Sequence, residues 1–345
     1  MGLYLLEEST GAAYAPQVQD IKSKPKKYFF MRLIGTGSAL PKKVVTNDML
    51  SEFLDTSDEW IVPRTGIRTR HVISDENLED LGAQAALNAL EMSGLKPSDI
   101  DYFICSNVIN EYITPGLSCI ISSKIGLTCP CIDINCACPG FIYAMDIAEC
   151  RFLAGKAKNV LIVCAEEPTR MTDWKDRSTC VLFGDGAGAA VFTEGDNVKG
   201  IQLHSLPSPD KIWEKRRLEP TPYITKGEID VPLQMKGKEV FKFAVNASTT
   251  DVESLLKELN MTKEQVDFYL VHQANQRIID AIKYYLQEPE EKFPANISDH
   301  GNSSSASCAI LLDECNRKGM FKKGDILVFS AFGAGLLSGV AVLEW

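Results

Sequence analysis

Three residues that lie far apart in the sequence, Cys138, His272 and Asn302, could together carry out thioester chemistry. A cysteine thiolate can attack a thioester and hold its acyl group covalently. Neutral histidine and asparagine side chains can donate hydrogen bonds to the enolate that forms when a second substrate loses carbon dioxide. Each residue alone also has a structural interpretation, because buried cysteines are common and asparagine after glycine is a usual turn residue. Their combination favours catalysis.

Cys138 lies between a predicted strand and a predicted helix. The apolar residues within 131–134 indicate the end of a strand, and 140–155 is typical of a helix that is apolar on most faces. Pro139 suits the first position of a helix, where its missing N–H has no intrahelical partner. We therefore expect Cys138 at the N-cap, where free amides and the helix dipole would lower the pKa of its thiol.

His272 and Asn302 occupy similar positions between strands and helices. His272 ends an apolar run ahead of a predicted helix that starts within 273–278, and Asn302 lies in a predicted turn before a helix of small residues. The other predicted elements are strands at 28–34, 101–106 and 160–164 and helices at 48–54, 81–93, 116–125 and 240–259. The segments without a predicted helix are loops at 58–70 and 166–178, a glycine-rich hairpin at 179–192 and irregular chain at 205–236.

The chain contains an internal duplication. The pattern of 95–106 repeats at 260–272, and that of 149–163 repeats at 314–328. Such self-similarity indicates two copies of one unit, and alternating strands and helices favour sheets covered by helices. Aligning the copies places Cys138 opposite the Asn302 turn, and Ser106 opposite His272. The chemical groups would then lie at strand ends, where α/β proteins bind ligands.

Composition excludes several function classes. The 345 residues include 36 basic and 46 acidic side chains, a net charge of −10 that argues against a nucleic-acid partner. No apolar run reaches the length of about 18 residues that a membrane span needs. Eleven cysteines, mostly in apolar runs, are typical of a reduced cytoplasmic protein. The spacing of the group at 129–138 differs from that of structural zinc sites, so no metal is expected.

Several motifs follow one another across residues 31–345. They are Thr56–Arg68, Asn135–Phe141, Phe183–Ala190, Glu239–Val245, His272–Ile278, Gly301–Ser304 and Phe332–Gly335. With these motifs the chain resembles the β-ketoacyl-acyl-carrier-protein synthase III family of the thiolase superfamily. The resemblance implies an α/β, thiolase-like fold of duplicated βαβαβαββ halves, layered α-β-α-β-α. Residues 1–27 would be an N-terminal extension, 28–197 the half with the nucleophile, and 198–345 the half with the histidine and asparagine.

The resemblance also implies an activity. An acyl group would pass from acyl-coenzyme A to Cys138 and then undergo decarboxylative Claisen condensation with malonyl-acyl carrier protein, in fatty-acid or related lipid or polyketide biosynthesis. The family implies a cytoplasmic homodimer that needs no metal and no cofactor besides the coenzyme A thioester substrate. Two alternatives remain open: a specialised relative that joins two acyl chains or only transfers one, and a non-catalytic partner subunit of a ketosynthase.

Roles carried over from the resemblance fall into four groups. Cys138 matches the nucleophile, His272 and Asn302 the pair that promotes decarboxylation and condensation, and the amides of Cys138 and Ala334 the oxyanion hole. The coenzyme A contacts would be Thr56, Trp60, Arg64, Arg177 and Asn275, with Trp60 and Arg177 sandwiching the adenine. Carrier-protein docking would use Lys242 and Arg277. The acyl pocket would use Thr114, Phe183, Phe241 and Phe332. Thr114 would reach the pocket of the other subunit, and its small size predicts tolerance of longer or branched chains.

Overall fold

The computed structural model describes residues 31–215, 222–223 and 231–345. The first part of the chain forms β1 (Arg32–Ala39), β2 (Lys43–Thr46), α1 (Asn47–Ser51), α2 (Asp58–Thr65), β3 (Thr69–Val72), α3 (Leu78–Ser93), β4 (Tyr102–Ser106), α4 (Leu117–Ile125), β5 (Cys131–Ile134), α5 (Gly140–Leu153), β6 (Asn159–Glu166) and β7 (Gly186–Thr193). The second part forms β8 (Val198–Ser205), β9 (Ile212–Lys215), β10 (Val231–Met235), α6 (Gly237–Glu258), β11 (Phe268–Val271), α7 (Gln276–Leu286), α8 (Ile297–His300), α9 (Ala306–Arg317), β12 (Ile326–Gly333) and β13 (Leu337–Glu344).

The two main sheets repeat one topology. The first has the strand order β1-β7-β6-β4-β5 and the second the order β8-β13-β12-β11. In both, the first three strands are antiparallel neighbours and the next pair, β6 with β4 or β12 with β11, is parallel. The strand pairing therefore repeats the duplication seen in the sequence.

Helices cover both sheets and fill the space between them. α5 packs on β6 and β4 of the first sheet and on β13 and β8 of the second, and α9 likewise contacts β7 and β11. α3 packs on the outer face of the first sheet, and α6 packs on β12 and β13 of the second. The predicted α-β-α-β-α layering is confirmed. In the part of the chain that the structure describes, no helix is both long and apolar enough to cross a membrane.

Four local predictions were wrong or incomplete. Segment 58–70 is not a loop, because Ser57 caps α2 by accepting a hydrogen bond from the Trp60 N–H at 3.2 Å, and Gly66 at φ +80° ends it. Segment 179–192 is not a hairpin, because β7 is one strand inserted between β1 and β6. Segment 205–236 contains the β9–β10 pair, and β1 continues through Gly35 to Ala39. Residues 1–27 and the start of the strand predicted at 28–34 lie outside the described residues.

Candidate active site

One cavity of about 410 Å³ brings Cys138, His272 and Asn302 together. Cys138 follows β5, His272 follows β11 directly, and Asn302 follows α8, so each side chain comes from the end of a different element. β5 and β11 belong to different sheets, which the middle helices hold together. Residues separated by more than 130 positions therefore share one chemical environment.

The turn that carries Cys138 is sharp. Ala137 has φ +49°, a left-handed conformation that non-glycine residues seldom adopt and that is common at functional sites. Pro139, not Cys138, is the N-cap of α5, so the predicted cap position was wrong by one residue. β12 passes close to the same turn, since a Cβ at Gly333 would lie 2.9 Å from the Cys138 nitrogen. Only glycine fits there without moving the turn.

Burial dominates the acidity of the Cys138 thiol. It raises the pKa to about 12, with a smaller increase from the nearby charge of Glu166. Ser304, whose hydroxyl is within hydrogen-bonding range of the sulfur, and the amide of Cys138 itself lower the pKa, but less than burial raises it. The predicted lowering of the thiol pKa was therefore wrong, because removal from water outweighs the helix end. At neutral pH the sulfur is protonated and needs a proton acceptor before it can attack.

His272 is a neutral hydrogen-bond donor to the cavity. The residue is 1% exposed, and burial lowers the pKa of its imidazole to about 3. Its Nδ1 lies 2.6 Å from the Ser307 hydroxyl oxygen, which also accepts the Gln273 N–H at 3.3 Å. The Ser307 hydroxyl can donate its proton to Nδ1, and we assign it as the donor of this bond. The proton of the ring is then on Nε2, which is the nitrogen available to a substrate.

Asn302 is oriented by the turn that follows it. Its Oδ1 accepts a hydrogen bond from the Ser304 N–H at 2.9 Å, so the Nδ2 amide group is left to donate to the cavity. The backbone holds the residue in place, because the Asn302 N–H donates to the Leu182 carbonyl at 2.8 Å. Asn302 and His272 thus present two uncharged donors to the space in front of Cys138.

Two backbone amides form a second donor group. Among the described residues, the N–H groups of Cys138 and Ala334 make no backbone hydrogen bond. Both residues line the cavity, and the close approach of Gly333 to the Cys138 turn brings the two amides together. Such paired amides can stabilise the oxyanion of a tetrahedral adduct.

The mouth of the cavity is cationic and aromatic. The guanidinium of Arg64 lies 4.7 Å from the centre of the Trp60 ring and that of Arg177 lies 4.8 Å from it. Arg177 also donates to the carbonyl of Asp55 and, at 3.1 Å, to its carboxylate. A planar base can enter between Trp60 and Arg177 only if the guanidinium moves. Asn275 caps α7 there, accepting from the Arg277 N–H at 2.9 Å.

The remaining predicted residues divide between the cavity and the surface. Phe183, Phe241, Phe332 and Arg277 line the cavity, and the Phe332 ring meets that of His272 edge-on at 5.3 Å. Three residues do not line it: Thr56, Lys242 and Thr114. Lys242 and Thr114 are exposed. Among the described residues, no group of three or more histidine, cysteine, aspartate or glutamate side chains is placed to hold a metal ion.

Comparison with known proteins identifies the family. The model of 3-oxoacyl-[acyl-carrier-protein] synthase III matches residues 132–207, and the model of its C-terminal part matches 256–345. The β-ketoacyl-[acyl-carrier-protein] synthase III of Clostridium acetobutylicum is 40% identical over 91% of this chain and 98% of that relative. The chain belongs to the β-ketoacyl-[acyl-carrier-protein] synthase III family. The resemblance inferred from the motifs is confirmed.

Solved structures of synthase III proteins share the fold. The 3-oxoacyl-[acyl-carrier-protein] synthase III from Aquifex aeolicus VF5 is 37% identical, with a TM-score of 0.84 over 91% of this chain and 100% of that one. The priming β-ketosynthase from the R1128 polyketide biosynthetic pathway is 33% identical, with a TM-score of 0.85 over 91% and 96% of the two chains. This chain thus shares its architecture with a synthase III protein and with a priming ketosynthase of a polyketide pathway.

Sequence reasoning missed three residues of this synthase III site. Ser304 and Ser307 orient Asn302 and His272, and Glu166 lies beneath the nucleophile. The run of serines after Asn302 was a usable signal for the first two. Glu166 ends an apolar strand and was assigned to the loop at 166–178, although a carboxylate at the end of a buried strand is itself a signal for a functional site.

Proposed function

We propose that the protein is a β-ketoacyl-[acyl-carrier-protein] synthase III-type condensing enzyme that takes an acyl group from acyl-coenzyme A and condenses it with malonyl-acyl carrier protein. One observation carries the proposal: a thiol, two neutral side-chain donors and two residues whose amides make no backbone hydrogen bond among the described residues line the same cavity. That combination suits an acyl-enzyme intermediate followed by a decarboxylation, each of which creates negative charge on an oxygen.

In the first step Cys138 attacks the thioester carbonyl. The carbonyl oxygen becomes negative in the tetrahedral adduct, and the amides of Cys138 and Ala334 stabilise it. Collapse of the adduct breaks the bond to the coenzyme A sulfur and leaves the acyl group on Cys138. The cavity residues Phe183, Phe241 and Phe332 offer an apolar lining for the acyl chain.

In the second step a malonyl thioester loses carbon dioxide. The electron pair of the broken bond passes into an enolate, whose oxygen accepts hydrogen bonds from His272 Nε2 and Asn302 Nδ2. The enolate carbon then attacks the acyl carbonyl on Cys138, and the adduct breaks into the β-ketoacyl product and the Cys138 thiolate, which takes up one proton from water to become the thiol again. Neutral donors suit this step, because an enolate needs stabilisation but must not be protonated before it attacks.

The cationic mouth of the cavity suits the two anionic substrates. Arg64 and Arg177 lie where they could meet the phosphates and base of coenzyme A, with Trp60 between them. Arg277 at the rim and Lys242 on the exposed side of α6 could attract an acidic carrier protein, despite the net charge of −10. Local complementarity, not net charge, governs such docking.

A homodimer would complete the acyl pocket. β5 is an edge strand whose described hydrogen-bonded neighbour is β4 alone. The loop between β4 and α4 exposes Tyr112 at 46% and Ile113 at 77%, and its end meets β5, where the Leu117 N–H donates to Asp133 at 2.6 Å. Exposed apolar residues beside an open strand edge favour association. Thr114, in the same loop, would then approach the pocket of a second copy and leave room for a longer or branched chain.

We place the protein in the cytoplasm.

Intact-mass measurement tests the first step. After mixing with a series of acyl-coenzyme A thioesters, the wild type should gain the mass of one acyl group, and Cys138→Ala should gain none. Cys136→Ala is the matched control, because this neighbouring thiol is also partly buried but does not line the cavity. Absence of an adduct with every chain length would refute the enzyme proposal and favour a non-catalytic partner subunit.

Carbon dioxide release tests the second step. Malonyl-acyl carrier protein added to the acylated enzyme should release carbon dioxide and yield a β-ketoacyl carrier protein. If the enzyme is acylated but no decarboxylation follows, the protein only transfers acyl groups. If acyl-acyl condensation occurs without a malonyl donor, it is a relative that joins two acyl chains.

A further inference from the structure

A buried carboxyl group lies beneath Cys138. Glu166 ends β6 and is 1% exposed. Its Oε1 accepts hydrogen bonds from the hydroxyls of Ser304 at 3.3 Å and Ser305 at 2.5 Å, and its Oε2 accepts the Val108 N–H at 3.1 Å. Burial raises the pKa of Glu166 to about 7, and these hydrogen bonds oppose the increase. The side chain can therefore hold or release a proton near neutral pH.

Ser304 connects this carboxyl group to the nucleophile. Its hydroxyl oxygen lies 3.8 Å from Cys138 Sγ, within hydrogen-bonding range for sulfur, and 3.3 Å from Glu166 Oε1. Ser304 is 5% exposed and has φ +51°, so the turn holds it in an unusual conformation that places the hydroxyl between the two groups. One hydroxyl thus bridges a thiol that must lose a proton and a carboxylate that can accept one.

The structure offers no better proton acceptor among the described residues that line the cavity. His272 would have to become cationic in a buried site, and burial lowers the pKa of its ring to about 3. Glu166, whose pKa is about 7, is the stronger base by several orders of magnitude. It also becomes neutral when it accepts a proton, so burial favours the protonated form.

We propose that Ser304 and Glu166 form a proton relay for Cys138, in which Glu166 acts through Ser304 to allow the thiol to react. The thiol proton moves to Ser304 Oγ while the hydroxyl proton of Ser304 moves to Glu166 Oε1. The sulfur electron pair then forms the bond to the attacked carbon. When the leaving group is the sulfur of coenzyme A, the proton returns to it by the reverse path.

The relay has few titratable neighbours. Among the described residues, the thiols whose pKa the Glu166 charge raises are Cys138, Cys105 on β4 and Cys164 on β6. Burial keeps the pKa of Cys105 and Cys164 well above the ordinary thiol value, so both remain protonated. The ionisation of Glu166 is therefore the titration near neutral pH that reaches Cys138.

A fixed charge and a relay predict opposite effects for the same variant. As a fixed charge, Glu166 raises the pKa of Cys138, so Glu166→Gln would make the thiol more reactive. As the end of a relay, Glu166 assists deprotonation, so Glu166→Gln would make the thiol less reactive. Ser304→Ala separates the two further, because it keeps the charge and removes the connecting hydroxyl.

Alkylation of Cys138 by iodoacetamide provides the test. The rate is followed between about pH 5 and pH 9 by mass spectrometry of the peptide that contains Cys138, because the other cysteines also react. In the wild type the rate should rise with the ionisation of Glu166 near pH 7 and then level off. In Glu166→Gln and Ser304→Ala that rise should be absent, and the neutral-pH rate should fall by about 10²-fold, the scale of general-base assistance.

Glu167→Gln is the matched control. Glu167 is next to Glu166 in the chain, and its side chain is only 9% exposed, but it pairs with Arg170 at 3.5 Å and does not line the cavity. The pH dependence of Cys138 alkylation should therefore be unchanged in this variant. Circular dichroism and thermal melting confirm that each variant is folded, and Ser304→Ala decides the matter if Glu166→Gln unfolds. A Glu166→Gln rate equal to or above that of the wild type, or an unchanged Ser304→Ala profile, would overturn the relay.

The role of the relay in acyl loading rests on the proposed function. The alkylation test does not rest on it, because iodoacetamide reacts with Cys138 without coenzyme A or a carrier protein. A protein that shows the relay profile yet accepts no acyl-coenzyme A would refute the proposed function alone. A protein that is acylated normally but whose Glu166→Gln variant alkylates as fast as the wild type would refute the relay alone.

Discussion

The contact between Gly333 and the Cys138 turn predicts that one added methyl group disables acyl loading. In Gly333→Ala, the new Cβ would lie 2.9 Å from the Cys138 nitrogen, 2.9 Å from Pro139 Cδ and 3.0 Å from Cys138 Cβ. Non-bonded heavy atoms are comfortable at about 3.5–4.0 Å. The strand and the turn must therefore separate by roughly 0.5–1 Å. The opposing atoms are a backbone nitrogen, a proline ring carbon and a Cβ, so a side-chain rotation cannot relieve the contact.

The separation acts on the oxyanion amides. Gly333 precedes Ala334, and the clash falls on the Cys138 nitrogen itself, so both N–H donors shift relative to one another. Amide donors are effective at about 2.7–3.1 Å from the developing oxyanion, and losing one costs about 10²–10³-fold in rate, or about 2.7–4 kcal/mol. Overpacking itself should lower the free energy of unfolding by about 1–3 kcal/mol. We therefore expect a folded protein that is acylated at least about 10²-fold more slowly.

The assay is the rate of acyl adduct formation, measured by intact mass on rapidly quenched samples, beside a thermal melt. Gly200→Ala on β8 is the matched control, because its Cβ would also meet atoms at 3.0 Å and 3.2 Å, but these are the flexible ends of Leu255 and Leu259. The control should lose stability but not acylation rate. A folded Gly333→Ala protein that is acylated at the wild-type rate would refute the assignment of the oxyanion amides.

Three further predictions follow from the site. Asn302→Asp replaces the amide donor by an acceptor, so condensation should fall by about 10²-fold while acylation of Cys138 persists, as product formation and intact mass would reveal. Burial lowers the pKa of His272 from 6.5 to about 3. As the pH falls below 6.5, the unfolded chain therefore binds a proton at His272 before the folded protein does, and the folded protein loses stability. Between pH 6.5 and about pH 4.5, the free energy of unfolding measured in urea should fall by about 2–3 kcal/mol less in His272→Gln than in the wild type. An equal decrease in both proteins would contradict the assignment. Arg277→Glu should raise the KM for the malonyl carrier protein and make that KM less dependent on salt, while the rate of Cys138 acylation stays unchanged. An unchanged KM would argue against carrier-protein docking at the rim of the cavity.

The sequence predicted most of the framework because the framework depends on patterns of apolar residues. The duplication and the positions of the strands around Cys138 and His272 follow from such patterns, whereas the α-β-α-β-α layering was implied by the resemblance to the family. The errors occurred where side chains or tertiary pairing decide the structure. Segment 58–70 reads as a loop by composition, but the Ser57 cap and Gly66 define a helix within it. The glycines of β7 suggest a hairpin turn in the sequence. In the structure they instead allow α9 to approach the strand closely, with Ala309 facing Gly188.

The acidity of the site could not be predicted from local sequence. A cysteine before a helix suggests a lowered pKa, but the thiol lies where two halves of the chain meet, and burial by both halves raises the pKa to about 12. The same burial lowers the pKa of His272 and raises that of Glu166. For Cys138 and Glu166 the effect depends on contacts with Ser304 and Ser305, more than 100 positions away, which no local pattern records.

The two halves of the fold explain why the site has this composition. α5 and α9 are the paired middle helices, and each starts just after a residue in the left-handed region, Ala137 in one half and Ser304 in the other. In one half the turn presents Cys138, and in the other it presents Asn302 and the Ser304 hydroxyl. Because the turns face each other at 3.8 Å between Ser304 Oγ and Cys138 Sγ, a group on either copy can act on a group of the other. Divergence between two equivalent turns is thus sufficient to place a nucleophile, its hydrogen-bond donors and a route for its proton in one cavity.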